Sequence, residues 1–273
     1  MSLTASDFPF VTGMVRQRSS IDLQPGKEYL VESRLMPLAT REGLGSLHAL
    51  VEALASNNSA ALRERVVDAM TTNETSFFRD VEPFNVLRTK VLPEILASRA
   101  SQRKLNLWCG AASTGQEPYT VAMTLVEHFP QLATWDVSFL ATDISKNVLE
   151  QAKAARYSQL EVNRGLPAAF LLKYFERKDA HWEIKPSIRR MVRFEELNLI
   201  KAWPPMAQLD IVFLRNVLIY FDVSVKKAIL GKIAERLRPG GYLFLGGAET
   251  TLHLDDRFER TNFDRAGCYR LAA

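Results

Sequence analysis

From about residue 82 onward the sequence alternates short apolar strands with amphipathic helices, a pattern that admits few folds beyond a mostly parallel sheet with helices on both faces. The strands read as Leu105 to Cys109, Val137 to Ala141, Leu209 to Leu214 and Tyr242 to Leu245. The spacing predicts a helix over Pro118 to Phe129 that buries Val121, Ala122, Leu125, Val126 and Phe129. A second is predicted over Val223 to Leu237, ended by Arg238-Pro239-Gly240-Gly241, which reads as a stop and turn. The chain closes on a hairpin, Phe258 to Phe263 returning through Gly267 to Leu271, so the sheet is expected to end in an antiparallel pair. One stretch breaks the alternation. Tyr157 to Glu195 holds His181-Trp182-Glu183-Ile184, then Lys185-Pro186-Ser187, then Ile188 to Phe194, and reads as a small antiparallel insertion suited to recognition.

The first eighty residues differ: successive amphipathic helices, with neither strand alternation nor internal repeat, read as a small helical domain. One helix follows Pro25-Gly26, its buried stripe being Val31, Leu35, Leu38 and Ala39, with Gly43 near its end. Lys27, Arg34 and Arg41 recur every seven residues on its other side; a straight helix drifts only ~20° per heptad, so they would form a basic stripe. By itself that stripe reads as a solvated face. A further helix over Ser59 to Met70 carries Leu62, Val66 and Met70 at fourfold spacing.

Lys plus Arg number 35 against 31 Asp plus Glu, an excess too small and too scattered for a nucleic-acid binder, which would show a dense basic run. No apolar run approaches a membrane span, and Met1 to Asp7 lacks a basic segment followed by an apolar one, so a cytoplasmic protein is expected. The two cysteines, Cys109 and Cys268, each lie in an apolar strand and read as reduced core thiols. His48, His128, His181 and His253 are scattered, and neither a Ser-His-Asp set nor a metal-ligand spacing appears, so no metal is expected.

Three strand ends deliver polar groups. The first runs into Gly110-Ala111-Ala112-Ser113-Thr114-Gly115-Gln116-Glu117-Pro118, a glycine-bearing loop at the carboxyl edge of the sheet, where open α/β folds bind ligands. It lacks the middle glycine of G-x-G-x-x-G, and Glu117 in the first helical turn would repel a pyrophosphate, which disfavours a nicotinamide oxidoreductase. The amino group of S-adenosylmethionine would suit that carboxylate. A tight strand-to-helix turn explains both glycines equally well. Asp143, in Ala141-Thr142-Asp143-Ile144-Ser145, stands where ribose hydroxyls are bound, or starts the next helix. Arg215-Asn216 leave the third strand at the same edge, and the convergence makes a site the better reading.

With those motifs the chain resembles the CheR-type chemoreceptor glutamate methyltransferases over essentially its whole length. The resemblance rests on Thr72-Asn73-Glu74-Thr75-Ser76-Phe77-Phe78-Arg79, Cys109 to Tyr119, Ala141 to Ser145, and Arg215-Asn216-Val217-Leu218-Ile219-Tyr220-Phe221, in that order. It implies a class I methyltransferase Rossmann-like sheet, usually ending in an antiparallel pair, over residues 79–273, with the β insertion at about 157–195 and an all-helical N-terminal domain over 1–78 that docks on the receptor and covers the cofactor. It further implies that Asn73, Thr75 and Arg79 close over S-adenosylmethionine, that Glu117 meets its amino-acid moiety, Asp143 the ribose, and Asn198-Leu199 the adenine. Arg215 and Asn216 complete the pocket floor, and Arg79 and Tyr220 lie near the transferring methyl. The implied partners are the acidic cytoplasmic helices of methyl-accepting receptors, docked through Lys27, Arg34 and Arg41. In some relatives the insertion grips a tethering peptide at the receptor C-terminus; here it is compact, with Gly165 its one glycine, so tether-independent recognition is expected. The rivals are a class I methyltransferase acting on a small molecule or nucleic acid, and a silent adaptor that binds cofactor without turnover.

Overall fold

The computed structural model describes residues 3–4, 6–56, 59–263 and 266–272. Residues 1, 2 and 5 of the Met1 to Asp7 segment lie outside them. The chain divides into two compact units, one of Met1–Thr72 with Tyr220–Val225, the other of Asn73–Ile219 with Lys226–Ala273.

The smaller unit is helical: α1 (Asp7–Ser19), α2 (Glu28–Arg41), α3 (Leu47–Ala55) and α4 (Ala60–Met70). The stripe read from periodicity is the one α2 buries, namely Val31, Leu35, Leu38 and Ala39. These pack with Val11, Val15, Leu47, Leu50, Leu54, Val66 and Met70 into one core. Ser46 caps α3 by accepting the Ala49 N–H at 3.1 Å. The basic stripe is not uniform. The Arg34 guanidinium donates to the carbonyls of Met70 at 2.7 Å and Thr71 at 3.0 Å and to Thr72 Oγ1 at 2.9 Å. It thereby satisfies carbonyls that the end of α4 leaves open, where a cation also meets the negative end of the helix dipole. Arg34 is committed to this packing, whereas Lys27 and Arg41 are exposed.

The larger unit is built on a seven-stranded sheet of order β6-β2-β1-β7-β8-β10-β9. Its strands are β1 (Lys104–Gly110), β2 (Asp136–Asp143), β6 (Arg193–Glu196), β7 (Leu209–Leu214), β8 (Leu237–Leu245), β9 (Phe258–Arg260) and β10 (Cys268–Leu271). The first five run parallel, and β10 pairs antiparallel with both β8 and β9, giving the hairpin expected at the C-terminus. All six residues of β7 are buried, as a strand covered on both faces requires. The chain builds outward from β1 through β2 to β6, then crosses to the other side of β1 to lay down β7. The order therefore reverses between β1 and β7, and the carboxyl ends of these strands mark the edge where open α/β sheets bind ligands.

Three details correct the sequence reading. Ile188 to Phe194 is not a partner of His181–Ile184: Pro186–Arg189 is a helical turn, and Arg193–Glu196 joins β2 at the edge of the main sheet. The insertion's antiparallel sheet is made instead by β3 (Arg156–Ser158), β4 (Phe175–Lys178) and β5 (His181–Ile184), in the order β3-β5-β4. A short strand whose pattern is completed by distant partners cannot be told from a hairpin arm by alternation alone. Secondly, Arg238-Pro239-Gly240-Gly241 does not reverse the chain: Leu209 pairs with Leu237 and Ile211 with Tyr242, so the segment is accommodated as an irregularity within β8. Thirdly, Val126 of helix Gln116–His128 is 42% exposed rather than buried.

Within this unit the insertion braces the segment that carries Asn73 to Arg79. Phe77, fully buried, meets Tyr157 edge-on at 5.0 Å and Phe175 at 5.6 Å, and Phe78 meets Phe170 at 5.1 Å. Arg164 pairs with Glu74 at 2.5 Å. Gly165 has φ +90°, and a Cβ there would stand 2.1 Å from the Phe77 carbonyl oxygen, so this close approach demands glycine.

Candidate functional site

The carboxyl ends of β1, β2 and β7 bring their polar residues to one edge of the sheet, as the strand-by-strand reading expected. After β1 the backbone turns through Ala111 (φ 54°), Ser113 (φ 50°) and Gly115 (φ 94°), residues in or near the left-handed region before helix Gln116–His128 begins. Non-glycine residues hold such angles only where the surroundings over-determine them, and they gather at binding sites. Here the determinants are visible. The Ala112 N–H donates to the Thr142 carbonyl at 2.9 Å, and the Ser113 N–H donates to Asp143 Oδ2 at 2.9 Å. Ser113 Oγ donates to the Asn73 carbonyl at 2.8 Å, joining the loop to the Asn73–Arg79 segment. Asp143, 6% exposed, receives the Ser145 N–H on Oδ1 at 3.0 Å, so backbone donors on both oxygens fix its carboxylate at the strand end.

Arg215 is the centre of charge. Its side chain is 1% exposed; Nη1 donates to Glu117 Oε2 at 2.5 Å, and Nη2 to Asp80 Oδ2 at 2.7 Å and to the Arg79 carbonyl at 3.1 Å. The guanidinium carbon lies 5.7 Å from the centre of the Phe84 ring. Its buried Nε has no hydrogen-bond partner among the described residues, an arrangement costing about 1–3 kcal/mol and shared with Arg99 and Arg238. Arg79 turns its Nη1 to the Glu74 carbonyl at 2.9 Å. Thr75 is half-buried on the same segment. Further round the edge, Asn198 accepts the Ile200 N–H at 3.1 Å, and the Leu199 carbonyl accepts from Trp203 Nε1 at 3.1 Å and Lys232 Nζ at 2.9 Å. Asn216 follows Arg215 with φ 58°. Tyr220 belongs to the smaller unit, where its carbonyl accepts the Asp22 N–H at 3.2 Å.

Two participants went unseen in the sequence. Asp80, directly after the Asn73–Arg79 motif, became visible only as the second carboxylate on Arg215. Glu249, 8% exposed beyond β8, lies in a stretch with no periodicity to single it out.

The donor set decides between ligands. Carboxylates outnumber the guanidinium they surround, which disfavours a polyphosphate and suits a ligand whose positive charges exceed its negative one. The sulfonium and ammonium of S-adenosylmethionine, offset by one carboxylate, meet that description, and Arg215 could then serve the carboxylate and Glu117 the ammonium. Among the described residues, no group of three or more His, Cys, Asp or Glu is placed to hold a metal ion. Among the described residues, no helix is long and apolar enough to cross a membrane.

Both cysteines are free and buried. Burial, reinforced by Glu117 beside it, pushes the Cys109 thiol well up, and burial pushes Cys268 to about 12. Ellman's reagent at pH 8 is therefore expected to leave both thiols unmodified in the folded protein and to titrate both after denaturation; rapid modification of either native thiol would contradict this. The folded state holds these protons more tightly than the unfolded chain, whose thiols ionise near pH 8.5. Their contribution to stability is complete below about pH 8.5 and is lost progressively as the pH rises toward 12.

Two family models cover the chain. The one described as "CheR methyltransferase, all-alpha domain" matches residues 6–71, and "CheR methyltransferase, SAM binding domain" matches residues 73–266. The protein named Chemotaxis protein methyltransferase 1 of Pseudomonas aeruginosa is 42% identical over 275 residues, 99% of each chain. Chemotaxis protein methyltransferase Cher2 of Pseudomonas putida is 42% identical over 264 residues, 95% of each, and the Vibrio parahaemolyticus protein named Chemotaxis protein methyltransferase is 40% identical over 276, 99% of each.

Proposed function

We infer the reaction from the premise that this chain belongs to the CheR methyltransferase family: it transfers the methyl group of S-adenosylmethionine to glutamate side chains of methyl-accepting chemotaxis receptors, forming methyl esters. The observation that carries the reading to this chain's own residues is the buried Arg215, flanked by Glu117 and Asp80 at the point where the sheet order reverses. The decisive experiment is transfer of labelled methyl from S-adenosylmethionine to the cytoplasmic fragments of the host's receptors. Label that mild alkali releases from receptor glutamates supports the reading. Tight cofactor binding with no labelled fragment transfers support to the silent adaptor.

When bound, S-adenosylmethionine supplies a methyl group activated by sulfonium. Glu117 and Arg215 hold the amino-acid end, Asp143 the ribose, and Asn198-Leu199 the adenine, while Asn73, Thr75 and Arg79 close over them. A glutamate side chain ionises near pH 4.3 and is a carboxylate at neutral pH, so no general base is needed. What remains is alignment: reacting atoms held ~3–3.5 Å apart and in line exploit effective concentration. Charge disappears as anion and cation give neutral products, so a pocket from which water is excluded favours the transfer. A guanidinium clamped on the attacking carboxylate would stabilise the charged ground state more than the transition state. Arg79 accordingly orients the reacting groups, with Tyr220 as a second hydrogen-bonding guide. Arg79→Lys, which keeps the charge but not the planar fork, is expected to lower kcat by about 10- to 100-fold, the scale of a misplacement near 1 Å. Unchanged turnover would remove Arg79 from this role.

Docking on acidic receptor helices falls to the exposed Lys27 and Arg41, since Arg34 is committed to the end of α4. Lys27→Ala/Arg41→Ala is expected to raise KM for receptor by about three- to tenfold at low salt, with cofactor affinity unchanged and the difference shrinking as salt rises. Equal KM values at every ionic strength would reject the stripe. Recognition is read as tether-independent, supported by the tight turn at Asp179-Ala180 that joins β4 to β5.

A further inference from the structure

We propose that Glu249 is a positioning residue for cofactor binding: a buried anion that holds the loop after β7, and with it Arg215 and Asn216, in its binding geometry. The proposal rests on the reading that this loop is the floor of the S-adenosylmethionine site.

Glu249 Oε2 accepts the N–H of Gly246 at 2.7 Å and the N–H of Asn216 at 2.8 Å, and Oε1 accepts the N–H of Ile219 at 3.3 Å. The carboxylate makes no ion pair among the described residues, so these backbone donors are what offset its burial at 8% exposure. Backbone N–H groups converging on one carboxylate from separate loops favour its charged form, and the anion in turn fixes the backbone that supplies them. Two of the donors belong to the loop after β7 and one to the loop after β8, so a single side chain ties the loops together.

Two further features fit that purpose. Asn216 is held at φ 58°, which turns its N–H to the carboxylate directly after Arg215. A Cβ at Gly246 would stand 2.6 Å from Asn216 Nδ2 and 2.9 Å from both the Asn216 nitrogen and Glu249 Oε2, so glycine is required where the loops meet. Arg215 reaches Glu117 and Asp80 only if its backbone leaves β7 along this path. Glu249 touches none of these side chains and acts through the peptide chain.

The test is calorimetric binding of S-adenosylhomocysteine to wild type, Glu249→Gln, Arg215→Lys and the double variant, with hydrogen exchange at the Gly246, Asn216 and Ile219 amides. Glutamine puts an NH₂ where a donor already points, so affinity is expected to fall at least tenfold, with faster exchange at those amides. The double variant is expected to bind no more than about threefold worse than the weaker single variant, because both changes disable one loop. Wild-type affinity in Glu249→Gln overturns the proposal. So does full additivity with Arg215→Lys, which marks a general loss of stability. Should Glu249→Gln not fold, Glu249→Asp keeps the charge but falls short of both loops; it is expected to bind about three- to tenfold more weakly, and undiminished affinity there is equally fatal. Failure of wild type to bind S-adenosylhomocysteine would instead refute the underlying site.

Discussion

Arg215→Met is expected to reduce S-adenosylhomocysteine affinity by at least 100-fold and to lower the melting temperature by about 6–20 °C. The magnitudes follow from the unequal arms of the cluster. Asp80 is 56% exposed, so its pairing with Arg215 is largely screened by water and contributes little. Glu117 is 13% exposed, and removing its partner leaves a nearly buried carboxylate uncompensated, at roughly 3–5 kcal/mol. At about 2–4 °C per kcal/mol for a domain of this size, the shift follows. Loss of stability and loss of binding separate in a second variant. Arg215→Met/Glu117→Leu removes the pair together and is expected to recover most of the melting temperature, since replacing a buried ion pair by packed apolar groups is often neutral. Binding is not expected to recover, because the counter-charges for both ends of the amino-acid moiety are gone. Isothermal calorimetry beside thermal melts reads both quantities. Restored binding in the double variant would show that Arg215 serves the fold alone.

Asp143→Ala is expected to weaken cofactor affinity by about 100-fold, from the loss of two charge-assisted hydrogen bonds at roughly 1.5 kcal/mol each and 1.4 kcal/mol per decade of affinity. The variant also leaves the Ser113 and Ser145 amides without the acceptor they share, so the loop after β1 is expected to loosen. A ligand that lacks the 2′-hydroxyl isolates the ribose contribution. Wild type is expected to bind 2′-deoxy-S-adenosylhomocysteine about tenfold or more weakly than the parent compound, and Asp143→Ala to bind the two alike. Undiminished discrimination in the variant would place the ribose elsewhere.

These predictions draw on residues of two kinds. Glu117, Asp143, Arg215 and Asn216 could be nominated from the chain because each follows a strand that its apolar run makes recognisable. In a parallel sheet the carboxyl ends of neighbouring strands share one edge. The motif from Thr72 to Arg79 was legible only as a resemblance, since nothing in its local pattern announces what it touches. Its contacts with Tyr157, Phe175, Arg164 and the loop after β1 join residues far apart in sequence.

Periodicity alone determined the buried stripe of α2, the central strands and the terminal hairpin, because burial of one face or of both imposes its repeat on the residues themselves. It could not determine which strand pairs with which. Arg193–Glu196 carries too short a pattern to declare whether its hydrogen-bond partner is the neighbouring hairpin or β2, fifty residues earlier. Nor could it say which cations are free: Lys27, Arg34 and Arg41 are equivalent by heptad, and only the packing of α4 against α2 turns Arg34 into a cap. Asp80 and Glu249 show the same limit from the side of the site. A polar residue acquires its role from donors and charges brought to it across the fold, and those partners exist only once the sheet has closed around them.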